Sequence, residues 1–176
     1  MRIRAAEQAD AGAVARVHID AWRTTYAGIV PDEYLGQLSY EQRADWWGQI
    51  LRPRGKKPPW AYVAEDDEGQ VVGFVSGALE RSGDPLYKGE LYAIYLLEQA
   101  QRKGIGKQLT LTLVARMIEE GVFSMLVWVL AENPSRPFYE AMGGQQLREE
   151  EVTIGGAKLI EVAYGWPDIR AIIKSR

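Results

Sequence analysis

The chain has 176 residues, of which 47% are hydrophobic and 26% charged, and its net charge at pH 7 is −3. This composition is ordinary for a globular protein, and the length predicts a single domain over residues 1–176. The negative charge argues against a nucleic-acid-binding protein. The chain has no cysteine and one histidine, so disulfides are excluded and no metal site is expected.

The N-terminal sequence predicts neither an export signal nor a membrane-spanning segment. The first ten residues, MRIRAAEQAD, are charged and lack the apolar core of a signal peptide. No apolar run approaches the roughly 20 residues needed to cross a bilayer, so we expect a cytoplasmic protein without a membrane partner. A short strand is predicted at residues 2–5, and Asp10 is a plausible N-cap for a helix that ends near Thr25.

Two more helices are predicted after a break at residues 28–31. They cover about residues 31–38 and 40–51. The basic stretch RPRGKKPP, residues 52–59, is rich in residues that favour loops, and we interpret it as a solvated loop.

The hydrophobic period then changes from helical to strand-like. Alternation predicts two strands on either side of a turn at residues 67–69, and the segment GELYAIYLL predicts another strand. Because side chains alternate along a strand, Glu90, Tyr92 and Ile94 should share one face of the sheet and Tyr95 should lie on the other.

The C-terminal half combines a long helix, a buried strand, a short helix and a hairpin. The long helix is predicted at residues 104–120, and the apolar run FSMLVWVL behind it predicts a central strand buried on both faces. The segment NPSRPFYEAMGG predicts a short helix, and Gly155–Gly156 predicts the turn of a final hairpin. The acidic run REEE, residues 148–151, is interpreted as a solvated strand edge, with an acidic wall that attracts an amine substrate as the alternative. This order of elements predicts an α/β (α+β) fold, with a mixed sheet and helices on its faces.

The segment QRKGIGKQL joins a predicted strand to the long helix. A helix N-terminus leaves backbone N–H groups unpaired and carries partial positive charge, and glycine lets the backbone approach a ligand closely. Arg102, Lys103 and Lys107 add positive charge, so this corner suits an anion such as a phosphate.

Three interpretations of the corner compete on local evidence. A nucleoside-triphosphate loop is rejected because Gln108 replaces the hydroxyl residue that would hold magnesium. A dinucleotide-binding fingerprint is disfavoured because Leu109 stands where a third glycine is needed. A phosphate site of another kind and a plain basic turn both remain open.

The segment ELYAIYLLEQAQRKGIGKQL resembles the acyl-CoA loop of the GNAT superfamily of N-acetyltransferases, with Gln101, Gly104 and Gly106 at the matching positions. About 30 residues later, NPSRPFYEAMGG is similar to the family's second landmark, which includes Asn133 and Tyr139. The resemblance implies the GNAT fold, a mixed, mostly antiparallel sheet of about seven strands flanked by helices.

The same resemblance implies an N-acetyltransferase that takes acetyl-CoA as donor and a primary amine of a small molecule or peptide as acceptor. Tyr139 matches a tyrosine that lies near the CoA sulfur, which implies a general acid. Glu90 is the candidate base, although it could also be a solvated carboxylate at the end of a strand. A held water is the alternative base, and Tyr92 or Tyr95 could relay a proton. The competing function is a non-catalytic acyl-CoA-binding regulatory module on the same fold.

The resemblance also implies how CoA is held. The backbone of the strand before the corner should pair with the pantetheine arm, the amides of the corner should hold the pyrophosphate, and Asn133 should bond the arm. Arg136 could meet a CoA phosphate or be solvated. The predicted cofactor-binding residues are Ile94, Tyr95, Leu96, Gln101, Arg102, Lys103, Gly104, Ile105, Gly106, Lys107, Asn133 and Arg136.

Aromatic residues in the early helices are candidates for the acceptor pocket. Trp22 and Tyr26 would form a wall that suits an aliphatic or cationic amine, although core packing is the alternative interpretation. His18 is interpreted as a packed or surface residue. An exposed apolar strand near the C-terminus would support a homodimer.

Overall fold

The computed structural model describes residues 1–53 and 59–174, so most of the predicted basic loop lies outside the described residues. Its centre is a seven-stranded sheet in the order β1-β2-β3-β4-β5-β7-β6, in which the β4–β5 pair is parallel and the other pairs are antiparallel. The predicted fold class is confirmed. The strands are β1 Arg2–Ala5, β2 Ala61–Glu65, β3 Val71–Leu79, β4 Gly89–Leu96, β5 Met125–Leu130, β6 Gln145–Ile154 and β7 Ala157–Trp166.

The helices lie close to their predicted positions, and a short C-terminal helix was not predicted. Asp10 occupies the N-cap position of the first helix, but its carboxylate binds Arg4 and the backbone of Glu7 instead of capping that helix. Single 3-10 turns precede the first and fourth helices. The helices are α1 Ala11–Thr25, α2 Asp32–Gln37, α3 Tyr40–Ile50, α4 Ile105–Glu119, α5 Arg136–Ala141 and α6 Arg170–Lys174.

The helices bury both faces of the sheet. Phe74 of β3 faces α1 and α3, where it contacts the rings of His18 and Trp47. Gly77 lies on the opposite face, where an added Cβ would stand 2.7 Å from the carbonyl oxygen of Glu90 and 2.9 Å from Leu113 of α4. Glycine is therefore required where α4 packs closely on β3.

The parallel strands β4 and β5 are hydrogen-bonded at one end and separate toward the other. Its register runs from Gly89 opposite Met125 to Leu91 opposite Val127, and no pairing between the two strands is recorded beyond that point. The second half of β4 pairs with β3 alone. The two strands therefore leave a gap in the middle of the sheet, with unpaired backbone groups along one edge of β4.

A β-bulge at Tyr92 places side chains of β4 on faces of the sheet that differ from the predicted ones. Ala93 pairs with Ser76 and Leu91 pairs with Gly77, so Tyr92 is an extra residue without a partner on β3. An extra residue reverses the alternation beyond it. The prediction that Ile94 shares a face with Glu90 is thus wrong: Tyr95 lies on the same face as Glu90, and Ile94 lies on the face covered by α4.

The edge of the sheet carries charge. β6 is the outermost strand at one edge, and the run REEE, residues 148–151, lies within it, as predicted. Charged side chains on an edge strand discourage pairing with another chain. The apolar strand β7 is paired on both sides, by β5 and β6, so its backbone edges are already used.

Candidate active site

A cavity of about 540 Å³ opens where β4 and β5 separate. The C-terminal end of α1, the start of α4 and residues 137–139 of α5 close its other sides. The part of the chain that the structure describes contains no helix long and apolar enough to span a membrane, and no group of His, Cys, Asp or Glu side chains that could hold a metal ion. The lining residues are 91–96, 100–102, 127–129, 133–135 and 137–139, with Ala21, Thr25, Tyr26, Gly104, Gly106 and Lys107.

The glycine corner forms one end of this cavity. Gly104 has a φ of 77° and precedes the first residue of α4, so the left-handed conformation that glycine tolerates sets up the helix start. Arg102 also has a positive φ, 57°, which is costly for a residue with a Cβ. The side-chain amide of Gln101 donates to the carbonyl oxygen of Leu96 at 3.2 Å and fixes the corner to the end of β4.

The corner's predicted residues divide into two groups. Gln101, Arg102, Gly104, Gly106 and Lys107 line the cavity. The side chains of Lys103 and Ile105 do not line it: Lys103 is exposed, and Ile105 is buried in the core with 2% exposure. Their backbone amides still belong to the turn that faces the cavity.

Three tyrosines meet at the gap between β4 and β5. The hydroxyls of Tyr26 and Tyr95 lie 3.3 Å apart, and the side-chain amide of Asn133 donates to the Tyr26 hydroxyl at 3.1 Å. Burial raises the pKa of Tyr139, and the nearby Tyr26 raises it further. Burial likewise raises the pKa of Tyr95 and of Tyr26. All three phenols are therefore neutral at physiological pH.

Glu90 does not lie in this cavity. Its carboxylate is 3% exposed and is held by the Arg81 guanidinium, with Nη2–Oε1 at 2.5 Å and Nε–Oε2 at 3.1 Å. Arg81 in turn lies over the Tyr92 ring, 4.0 Å from its centroid. This ion pair lines a second cavity of about 280 Å³, which shares Trp128 with the first. The structure thus separates the predicted base from Tyr139.

Arg136 is also directed away from the main cavity. Its Nε donates to the Tyr164 hydroxyl at 2.9 Å, and its Nη1 donates to the carbonyl oxygen of Ala131 at 2.9 Å. It is not among the lining residues. These contacts join α5 to β7 and give Arg136 a structural role, in contrast to the predicted contact with a CoA phosphate.

Of the predicted acceptor wall, Tyr26 lines the cavity and Trp22 does not. Trp22 packs edge-on against Tyr26 with ring centroids 5.0 Å apart, so it supports the tyrosine from behind. His18 is a packed residue, consistent with its interpretation: its Nδ1 accepts a hydrogen bond from the Trp47 indole at 3.2 Å. Its ring stacks on Tyr95 with centroids 5.1 Å apart.

Sequence reasoning did not assign several lining residues. Thr25 and Trp128 reach the cavity because α1 ends there and because β5 separates from β4. Phe138 lies within the second landmark, NPSRPFYEAMGG, but no role was predicted for it. Trp128 is the one aromatic residue in the run MLVWVL, and this feature of the sequence could have indicated that its side chain has a role in the site.

Comparisons with known proteins identify the family. A model of the FR47-like protein family matches residues 71–153. The chain is 41% identical over 170 residues to the uncharacterised N-acetyltransferase YuaI of Bacillus subtilis, and the match covers 97% of this chain and 95% of the relative. The chain belongs to the GNAT superfamily of acetyl-CoA-dependent N-acetyltransferases, as its sequence motifs predicted.

Solved structures agree on the fold. The ribosomal-protein-alanine N-acetyltransferase of Brucella melitensis is 25% identical, with a TM-score of 0.72 over 94% of this chain and 99% of its own. The PaiA N-acetyltransferase of Thermoplasma acidophilum, solved in complex with coenzyme A, is 22% identical, with a TM-score of 0.68 over 92% of this chain and 96% of its own.

Proposed function

We propose that this enzyme transfers an acetyl group from acetyl-CoA to a primary amine of a small molecule or peptide, with Tyr139 as general acid. One observation carries the proposal. A single cavity joins the unpaired edge of β4, the glycine corner at the start of α4 and the buried phenol of Tyr139. These are the parts needed to hold a phosphorylated thioester and to protonate its leaving group.

Donor binding follows from the corner and the strand. The free N–H groups of residues 102–107 and the positive end of α4 suit a pyrophosphate, and Arg102 and Lys107 add charge at the same end of the cavity. The free backbone edge of residues 94–96 can pair with the pantetheine amides as an added strand would. A backbone N–H on this edge is the proposed donor to the oxygen of the tetrahedral intermediate.

Asn133 is suited to orient the pantetheine arm. Its Oδ1 accepts from the backbone N–H of Ser135 at 2.8 Å, while one N–H of its amide donates to Tyr26. These two bonds fix the plane of the amide, and its second N–H remains for a carbonyl of the arm.

The chemistry requires a neutral amine and a protonated leaving group. An alkylammonium has no lone pair, and its pKa lies near 10.4 for a lysine-like amine, so the acceptor must lose a proton before it attacks. The thiolate that leaves must gain a proton. Tyr139 remains protonated because burial raises its pKa, so it can donate to the sulfur.

The proposed acceptor is a class of amines and not one compound. The cavity wall at the α1 end combines Tyr26 with Thr25 and Ala21, which suits an aliphatic amine. The name of the Brucella structure refers to an alanine of a ribosomal protein, which supports a peptide amine as a member of the same class. The single domain, the homodimer and the cytoplasmic location remain predictions from the sequence.

The test is release of free thiol from acetyl-CoA in the presence of amines. The panel contains an aliphatic diamine, a polyamine, an amino acid amide and a peptide with an N-terminal alanine. We expect release that depends on at least one amine. Tight CoA binding without amine-dependent release from any panel member would favour the non-catalytic acyl-CoA-binding module and contradict the enzyme.

A further inference from the structure

We propose that the hydroxyls of Tyr26 and Tyr95 form a proton relay, which carries the acceptor's proton from the attacking nitrogen toward the leaving sulfur. The inference rests on the proposed acetyl transfer and adds the group that was missing from it. Tyr26 was predicted as an acceptor-binding aromatic, and Tyr95 as a backbone contact for CoA and as one of two tyrosines that could relay a proton. The proposal joins the two side chains in one relay.

The composition of the cavity wall is the first support. Among the described residues that line it, no side chain is a carboxylate or an imidazole. Arg102 and Lys107 lie at the corner, and the hydroxyls in the lining belong to tyrosines and to Thr25 and Ser135, whose aliphatic hydroxyls are much weaker acids than a phenol. The Tyr92 hydroxyl donates to the carbonyl oxygen of Leu79, and Glu90 is held by Arg81 in the other cavity. The remaining tyrosines are therefore the lining side chains best suited to pass the proton on.

Hydrogen-bond geometry is the second support. An amide nitrogen has no acceptor capacity, so Asn133 must donate to Tyr26 at 3.1 Å, and the Tyr26 oxygen must accept. This leaves Tyr26 one further lone pair and its own proton. The Tyr95 hydroxyl lies 3.3 Å away, and either of the two hydroxyls can donate to the other. Because the Tyr26 proton is not used in the bond with Asn133, it is available to Tyr95, and the proposed relay runs from the cavity through Tyr26 to Tyr95.

The surroundings hold the two phenols in place. Tyr26 is 4% exposed and is packed against Trp22, while Tyr95 stacks on His18 and contacts Phe74. Because Tyr26 projects from α1 and Tyr95 from β4, the relay forms when α1 is docked on the sheet. Tyr139 contributes to the raised pKa of Tyr95, and Tyr26 contributes to the raised pKa of Tyr139. The Tyr139 phenol therefore lies within electrostatic reach of the other two.

The step balances without an outside co-reactant. The amine loses its ammonium proton to solvent before it reacts, and the neutral amine then attacks the thioester carbon. An N–C bond forms, and the C–S bond breaks with its electron pair going to sulfur. The nitrogen gives one proton to the Tyr26 oxygen as Tyr26 passes its own proton to Tyr95. Tyr139 protonates the sulfur and regains a proton that Tyr95 releases, by way of water in the cavity between them. Each phenol ends the turnover neutral, so none has to hold a charge in a buried site.

The experiment is a double-mutant cycle on Tyr26→Phe and Tyr95→Phe, with the panel amine that gives the fastest thiol release in the wild type. Phenylalanine keeps the ring packing and removes one hydroxyl. Single-turnover thiol release is measured at saturating acetyl-CoA, together with the CoA dissociation constant and the thermal melt of each variant. Tyr62→Phe, which removes a hydroxyl from β2 outside the cavity, is the matched control.

Each single variant should lower the rate about 100-fold, the scale of proton-transfer catalysis. The double variant should be no more than about threefold slower than the slower single variant, because members of one relay are lost together. Tyr62→Phe should keep the wild-type rate. The relay is overturned if the rate reductions of the two single variants multiply in the double variant. It is also overturned if either single variant keeps a rate within about threefold of the wild type. Both outcomes leave acetyl transfer intact. A wild type without amine-dependent release overturns the proposed function itself, and the relay with it.

Discussion

The side-chain amide of Asn133 donates a hydrogen bond of 3.1 Å to the hydroxyl of Tyr26, a residue 107 positions earlier in the chain. One partner precedes α5 on the predicted donor side of the cavity, and the other follows α1 on the predicted acceptor side. This bond joins the two halves of the site and leaves the Tyr26 proton free for another acceptor.

Replacing Asn133 by aspartate should reverse that bond without removing its partners. An Asn133→Asp side chain has no N–H, so Tyr26 must donate to the new carboxylate and can no longer pass its proton to Tyr95. The bond from the Ser135 N–H is retained. We expect single-turnover thiol release at saturating acetyl-CoA to fall about 100-fold while the protein stays folded. An unchanged rate would show that the orientation of the Tyr26 hydroxyl is irrelevant.

Tyr139→Phe should separate catalysis from binding. The ring can keep its contacts with Phe138 and Tyr164, whose centroids lie 5.3 Å and 5.9 Å away, so the fold should be preserved. We expect kcat to fall by about 100-fold or more and the CoA dissociation constant to change by less than about threefold. Steady-state kinetics and calorimetric titration measure the two quantities. If turnover is unaffected, a water or another group protonates the sulfur.

Gly104→Glu should abolish CoA binding, because it adds a negative charge where the pyrophosphate is expected. The substitution also carries backbone strain, since Gly104 has a φ of 77°. Gly121→Glu is the matched control: its φ is 78°, it follows the other end of α4, and no heavy atom lies within 4 Å of an added Cβ at either site. We expect similar loss of thermal stability in both variants and loss of CoA affinity in Gly104→Glu alone. Equal CoA affinities would contradict the placement of the phosphates.

His18 should make the protein less stable in mild acid. Burial, with the nearby charge of Arg43, lowers the pKa of His18 to about 3 from an ordinary value of 6.5. Between these values the unfolded chain binds a proton that the folded chain does not, so the free energy of unfolding should fall as pH falls from 6.5. The slope from this one residue is at most about 1.4 kcal/mol per pH unit.

The variant His18→Gln isolates this contribution. Glutamine can still accept the Trp47 indole hydrogen bond but does not titrate. Urea unfolding at pH 7.5, 5.5 and 4.5 should show the stability difference between wild type and variant shrinking or reversing as the pH falls. Parallel pH dependences would mean that His18 titrates normally in the folded protein.

Local patterns predicted most of the fold. The change of hydrophobic period separated the helices from the strands, and Gly155–Gly156 is the observed turn between β6 and β7. The two landmarks, with Gln101 and Tyr139 among their residues, do lie around one cavity. These features depend on residues close together in sequence, which is why they could be read from it.

Contacts between distant segments could not be predicted in the same way. The bulge at Tyr92 depends on the register of β4 against β3, and spacing along one strand carries no such information. Glu90 has a carboxylate that could act as a base. Its partner Arg81 comes from the preceding loop, however, and holds that carboxylate in an ion pair. The helix α6 is five residues long, too short for a periodic signal.

The measurement that tests the account most directly is mass spectrometry of the amine panel after incubation with acetyl-CoA, with free thiol counted in the same samples. The account predicts an acetylated amine and one equivalent of free CoA for each acetyl group transferred by the wild type, with neither product formed by Gly104→Glu. Thiol release without an acetylated amine, or acetylation that Gly104→Glu carries out as well as the wild type, would contradict it.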